Sequence, residues 1–287
     1  MGEAGKVCMS ILRKGKSIYL WIIVEKMIND LRRNDFYLTD TEKQEWDNHN
    51  ILYNTIWFYL NKGLKRKFPD VEYSDAAISA YKKLDCYKKS EILYHTNVGK
   101  VLISRNKQVL SADLMTGWWN PVSYYLGWSN RKLITEELLN SIPSRNDDNI
   151  VISWIVEKKG KDESSAKALL DFLKVIYTEG NIIPAPINWK GRGIDSWSYK
   201  LEEIKEGKSF NAKAWNKYIC KEYEDFNDFI KQNKLEMYVK NDKIVSFWDK
   251  NNEPSKWTKA TDDQWEAYFT NVKRAIEDRY YSINGDF

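Results

Sequence analysis

Residues 162–199 read D-E-S-S-A-K-A-L-L-D-F-L-K-V-I-Y-T-E-G-N-I-I-P-A-P-I-N-W-K-G-R-G-I-D-S-W-S-Y. The first half has the pattern of a helix. Leu169, Leu170, Phe172, Leu173, Ile176 and Tyr177 recur at helical spacing on a wide apolar face. Asp162 or Ser164 can cap its start, because a short side-chain oxygen accepts from the free amides of a first turn. Gly180, with Asn181 behind it, stands where such a helix would end in a left-handed residue. The second half cannot be one continuous helix. Pro184 and Pro186 break it and push Ile183 and Ala185 toward extended geometry. Gly191 and Gly193 bracket Arg192 and free the backbone around it. A stiff extended piece followed by Gly-Arg-Gly presents backbone amides and a guanidinium together, which suits phosphate or carboxylate. A second reading of the same residues is an ordered connector. On that reading the prolines stiffen it, the tryptophans fill core, and Asp195 pairs with Arg192 or caps the next helix.

Working outward toward the N-terminus, Ile18 to Arg33 carries Leu20, Ile23, Met27, Ile28 and Leu31 on one helical face. Thr39-Asp40-Thr41-Glu42 matches a capping box and predicts a helix from there to about Leu60. A helix is also predicted from Ser74 to Tyr94. Lys100–Ser104 and Lys107–Ser111 flank Arg105-Asn106 and predict a small hairpin. Trp118, Trp119, Tyr124, Tyr125 and Trp128 follow, either a cluster packed beneath the 180–197 loop or the wall of an aromatic pocket. Thr135 to Ser141 reads as a helix ended by Pro143, and Ser144–Asn149 is polar and turn-rich. That stretch divides a helical N-terminal part, 1–143, from a helical C-terminal part, 144–287; a single continuous domain is the other arrangement. Ile150 to Val156 reads as a short buried strand or a helix start. Toward the C-terminus, Ala212 to Lys234 gives one or two helices, and Met237–Val239 with Ile244–Trp248 gives a second hairpin around Asn241-Asp242. Thr261 caps a final helix whose Trp265, Tyr268, Phe269, Val272 and Ile276 share a face. The fold class is therefore mainly α with one or two small β-hairpins.

The C-terminal half, from about Trp118, resembles an uncharacterised bacterial family. The residues that carry the resemblance are Tyr177-Thr178, Gly180-Asn181, Pro184, Pro186, Asn188, Arg192-Gly193, Asp195 and Trp197. They match a motif Y-T-x-G-N-x-x-P-x-P followed by N, R-G and D-x-W. The resemblance implies cytosolic proteins without an assigned activity. Gly180-Asn181 and the apolar residues after it are also similar to the Gly-Asn-Leu segment of modification-dependent restriction nucleases. That family activates water with a histidine, and no histidine follows His95 here, so this similarity implies a related segment without that chemistry.

Composition limits the remaining classes. The chain has 287 residues, a formal charge of +4, and 13 Trp and 18 Tyr among its aromatics. Mean hydropathy is −0.64, and no apolar run approaches the roughly 20 residues of a membrane helix. Three isolated cysteines, Cys8, Cys86 and Cys220, fit a reducing cytoplasm better than a disulfide framework. Of the 45 basic and 41 acidic residues, 21 and 16 lie in 1–143, so the positive excess sits in that half. Its densest basic cluster is Lys62, Lys65, Arg66 and Lys67, either a phosphate-facing patch or a solvated helix end. Two Gly-Lys-Ser triplets, at 15–17 and 207–209, lack the upstream glycine of a phosphate loop. Neither His49 nor His95 sits in a recognisable catalytic pattern, and no Cys/His spacing fits zinc.

The expectation is a cytoplasmic bacterial or phage protein that binds a partner, in the setting of phage defence or counter-defence. Its anion or nucleotide site would use Asn181, Asn188, Arg192, Asp195 and Trp197, with Trp118 and Trp119 as an aromatic wall. A nucleotide, a nucleic acid or another protein is the expected partner, with no membrane; no cofactor, metal or catalytic residue is nominated. The alternative is a metal-dependent hydrolase or nuclease working through carboxylates.

Overall fold

The helical run ahead of the Pro-x-Pro segment and the final helix supply the frame. The structure, a computed structural model, describes Gln44, 46–58, Leu60, 80–84, Tyr87, 91–95, 99–104, 106–107, 109–128, 135–186, 197–206, Lys217, 221–241, 243–248 and 253–285. These residues are mainly helical, with two small antiparallel sheets.

In chain order, α1 is Ile51–Phe58. Strands β1 (Glu91–His95), β2 (Gly99–Ile103) and β3 (Val109–Leu114) follow. Helices α2 (Trp119–Tyr125), α3 (Glu136–Ser141), α4 (Asp148–Lys159) and α5 (Glu163–Val175) come next, and β4 is Ile182–Pro186. Beyond it lie α6 (Trp197–Glu206), α7 (Phe226–Gln232), the two-residue strands β5 (Val239–Lys240) and β6 (Lys243–Ile244), and α8 (Asp262–Asn284).

Helix α5 forms where its apolar spacing predicts. Asp162 is its cap, accepting from the Ser165 amide at 2.7 Å. Leu169, Leu170, Phe172 and Leu173 are buried along it. Helix α8 opens on a capping box in which Thr261 and Gln264 satisfy one another's backbone amides. It closes on Gly285 at φ 76°, a left-handed cap. The two helices run parallel. Their N-termini meet where the Asp162 amide donates to Asp262 at 2.9 Å and the Ser164 hydroxyl donates to Glu266 at 2.8 Å. Phe172 and Phe269 stack between them at 5.4 Å. Parallel alignment puts two positive helix ends together, and Asp162, Glu163, Asp262 and Asp263 offset them.

The larger sheet has the order β1-β2-β3-β4. The predicted hairpin around residues 100–111 is β2 paired with β3, and Asn241 at φ 52° turns the smaller β5-β6 hairpin. The outer strand β4 pairs with β3 from Leu110↔Pro186 to Leu114↔Ile182. Proline has no N–H, so it fits a strand whose second edge makes no ladder. Spaced two apart, Pro184 and Pro186 leave that edge without donors at both positions. The β3–β4 pairing joins strands from either side of residue 143. One buried cluster likewise draws Leu52, Tyr81 and Trp119 together with Leu170 and Phe269.

Several elements differ from their predicted form. Within the helix predicted for 74–94, residues 80–83 are helical but Glu91–His95 is strand β1, paired over five residues with β2. Tertiary pairing overrides local preference there. His95 consequently ends a strand. The helix predicted across 39–60 is interrupted at His49 and Asn50. The Asn50 amide donates to the carbonyls of Pro143 and Arg145, so the polar stretch 144–149 is stitched to the N-terminal half. Residues 150–156 lie inside helix α4, capped by Asp147. Among the described residues, no helix is long and apolar enough to cross a membrane.

Candidate functional site

Helix α5 delivers the chain to a single turn of 3₁₀ helix, Glu179–Asn181. Thr178 enters this turn buried, its hydroxyl donating to the Val175 carbonyl at 2.7 Å. Gly180 does not take the left-handed conformation expected of a helix cap, and its necessity is steric. A Cβ there would lie 2.0 Å from the Ile276 carbonyl oxygen. Only glycine lets α8 and the turn approach so closely.

Asn181 is fully buried. Its Oδ1 accepts from the Thr116 amide at 2.9 Å, and its Nδ2 donates to the carbonyls of Thr116 (2.8 Å) and Ile176 (2.6 Å). Its own carbonyl accepts from the Met115 amide at 2.6 Å. The side chain imitates a strand residue and ties the turn to the end of β3. All of its hydrogen-bonding atoms are engaged with the backbone.

The residue that organises this turn is Arg279, on the buried face of α8 and wholly inaccessible to solvent. Nη1 donates to the carbonyls of Gly180 (2.9 Å), Ile182 (2.8 Å) and Glu179 (3.3 Å), and Nε to that of Asn233 (3.0 Å). A single guanidinium therefore gathers the 179–182 backbone and the end of α7 onto α8. Burial lowers its pKa to about 10, countered by the nearby Tyr238, Tyr81, Glu236 and Glu179, so it stays cationic at neutral pH. Burial pushes the Tyr238 hydroxyl well above its ordinary value. Outside this core, Lys83 donates to both Glu179 carboxylate oxygens, at 2.8 and 2.7 Å, and to Asn284 at 2.9 Å. The Tyr81 hydroxyl donates to the Ile183 carbonyl at 3.2 Å.

The sequence-predicted site residues separate into two groups. Asn181, Trp118 and Trp119 are buried, with Trp118 at 5% and Trp119 at 7% exposure. Trp118 donates its indole N–H to the Tyr177 hydroxyl at 2.8 Å and meets Trp119 edge-on at 5.4 Å, so both rings belong to the packed cluster under the turn. Asn188, Arg192 and Asp195 lie outside the described residues, as do Lys62, Lys65, Arg66 and Lys67. Trp197 is the first residue of α6, a helix anchored by the buried Leu201 and Ile204. The chain is thus fixed on one side of residues 187–196 by β4 and on the other by α6.

Arg279 was not among the predicted residues, although the sequence carried a signal. It continues the apolar spacing of Val272 and Ile276, so a cation falls on the face that must be buried. A charge at such a position requires buried acceptors. Among the described residues, no group of three or more His, Cys, Asp or Glu is placed to hold a metal ion.

Fold and site define a mainly α protein in which a Gly-Asn turn is locked between a long helix and a small sheet. Comparison with protein-family models, with curated proteins and with solved structures finds no match to this chain.

Proposed function

We propose that the protein is a binding protein, and that residues 188–197 hold an anionic ligand, a nucleotide or a stretch of nucleic acid backbone. Arg192 between two glycines supplies the charge and backbone amides, and Asn188, Asp195 and Trp197 shape the site. One observation carries this reading. The preceding residues, 177–186, are held by buried hydrogen bonds to Thr116, Ile176 and Arg279, and α6 is anchored directly after it. With both flanks already held, binding has less chain to order, and that favours affinity. The packing of half-buried Tyr177 and of buried Gly180 and Asn181 accounts for the first half of the motif, so ligand recognition falls to the second half. Membership of the bacterial family that the motif resembles, and a role in phage defence, belong to the same proposal, as does a cytoplasmic setting.

A thermal-shift panel of inorganic phosphate, nucleotides and oligonucleotides, with and without Mg²⁺, tests the reading. Ligand at about a hundredfold excess over Kd should raise the melting temperature by about 5 °C. Arg192→Ala should abolish the shift while leaving the ligand-free melting temperature unchanged. A shift that survives Arg192→Ala places the site elsewhere. Shifts that require Mg²⁺, together with cleavage of the oligonucleotide, point to a metal-dependent hydrolase instead.

A further inference from the structure

The guanidinium of Arg279 has an occupied edge and a half-occupied one. In the arginine fork Nε–H and one Nη2–H point the same way, so Nη2 faces the end of α7, where Nε donates to the Asn233 carbonyl. Nη2 itself has no hydrogen-bond partner. Asn233 Oδ1 and the Tyr238 hydroxyl are among the other buried atoms in that condition. Arg279, Asn233 and Tyr238 are all completely inaccessible to solvent.

The chemistry of the three atoms is determined by what surrounds them. Asn233 Nδ2 donates to the Phe229 carbonyl at 3.0 Å and to the Tyr223 hydroxyl at 2.9 Å, which fixes the amide with Oδ1 as the unused acceptor. The Tyr223 hydroxyl is hydrogen-bonded in turn to the Tyr87 hydroxyl. Arg279 Nη2 is a donor only, and the Tyr238 hydroxyl both donates and accepts. Tyr238 lies close enough to Arg279 for the two to affect each other's ionisation. The set is therefore one donor, one acceptor and one group of either kind. An anion would meet the Asn233 oxygen, and a cation would meet the guanidinium. A neutral molecule that accepts once and donates twice meets neither objection.

We propose that a single internal water molecule is bound among Arg279 Nη2, Asn233 Oδ1 and the Tyr238 hydroxyl. It accepts from the guanidinium, donates to the amide oxygen and exchanges a hydrogen bond with the phenol. Buried waters typically make about three such bonds to groups that otherwise have none. The water completes a polar chain through the core, from Tyr87 and Tyr223 through Asn233 to Arg279 and the 179–182 turn. This site is independent of the ligand site proposed above.

A high-resolution crystal structure of the intact protein tests the inference. The expected result is one ordered water within roughly 2.7–3.2 Å of all three atoms. Direct pairing of Nη2 with Asn233 Oδ1, with no water between them, overturns it. Oxygen-17 relaxation dispersion gives a second reading in solution. Wild-type protein should show a slowly exchanging internal water whose residence time shortens at least severalfold in Tyr238→Phe. An unchanged residence time in that variant contradicts the assignment.

Discussion

The two ends of the α5–α8 pair are held together by different physics. At the N-terminal end the contacts are ion pairs and caps open to water. Lys161 meets Asp262 at 2.9 Å with both side chains about a fifth exposed, and Ser164 reaches a half-buried Glu266. At the other end Arg279, Gly180 and Asn181 are shut away from solvent and engage backbone atoms alone. Charges that water can replace contribute little when paired, and losing one leaves a group that water resolvates. A buried guanidinium surrounded by carbonyls is another matter. Removing it strands several acceptors at once, with nothing to take its place.

That contrast sets the expected order of mutational effects. Arg279→Met should cost about 3–5 kcal/mol in denaturant unfolding, since the carbonyls of 179, 180, 182 and 233 each lose a donor. Gly180→Ala should cost about 3 kcal/mol, because the methyl group collides with the α8 backbone at Ile276 and the helix must shift. Asn181→Ala should cost about 2 kcal/mol, by leaving the Thr116 amide buried without an acceptor. At the open end, Asp162→Ala should cost about 1 kcal/mol through loss of the cap. Lys161→Met should cost under about 1 kcal/mol, and added salt should shrink the difference further. If Lys161→Met proves as damaging as Arg279→Met, the contrast between the ends fails.

Acid should weaken the cap at the open end. Burial alone would raise the Asp162 pKa, but bonds from the Ser165 amide and the Ser165 and Ser164 hydroxyls outweigh it, leaving the carboxyl below its ordinary 3.8. A depressed carboxyl stabilises the fold above its unfolded pKa, and that contribution disappears as pH falls through the folded value. The difference in stability between wild type and Asp162→Asn should therefore be constant above about pH 5 and shrink below about pH 4. The effect is small because Asp162 is still partly open to water. Melts of both proteins between pH 7 and pH 3 measure it.

What could be read from the sequence follows the same division between local and distant causes. The caps at Asp162 and Thr261, the extended Pro184–Pro186 piece and the 239–244 hairpin depend on neighbours a few residues away, and all are present. Gly180 could be flagged as special, but its reason lay 96 residues along the chain, in the carbonyl of Ile276. Strand β1 looked helical because only its pairing with β2 makes it a strand. The β3–β4 register joins segments about 70 residues apart, and no local pattern specifies it. Of the predicted site, Asn181 and the two tryptophans were recognisable as unusual. Their burial was not, because an aromatic-rich stretch reads the same whether it lines a pocket or fills a core.

The central claim is that Arg279 holds the Gly-Asn turn in place against the sheet. Native-state amide exchange at Met115 and Thr116, whose N–H groups bond to Asn181, reads that directly. In Arg279→Lys, which keeps the charge and loses the fork, exchange at both amides should accelerate at least tenfold, about 1.4 kcal/mol, while Asp262→Asn leaves them unchanged. Equal protection at Met115 and Thr116 in wild type and Arg279→Lys would contradict the account.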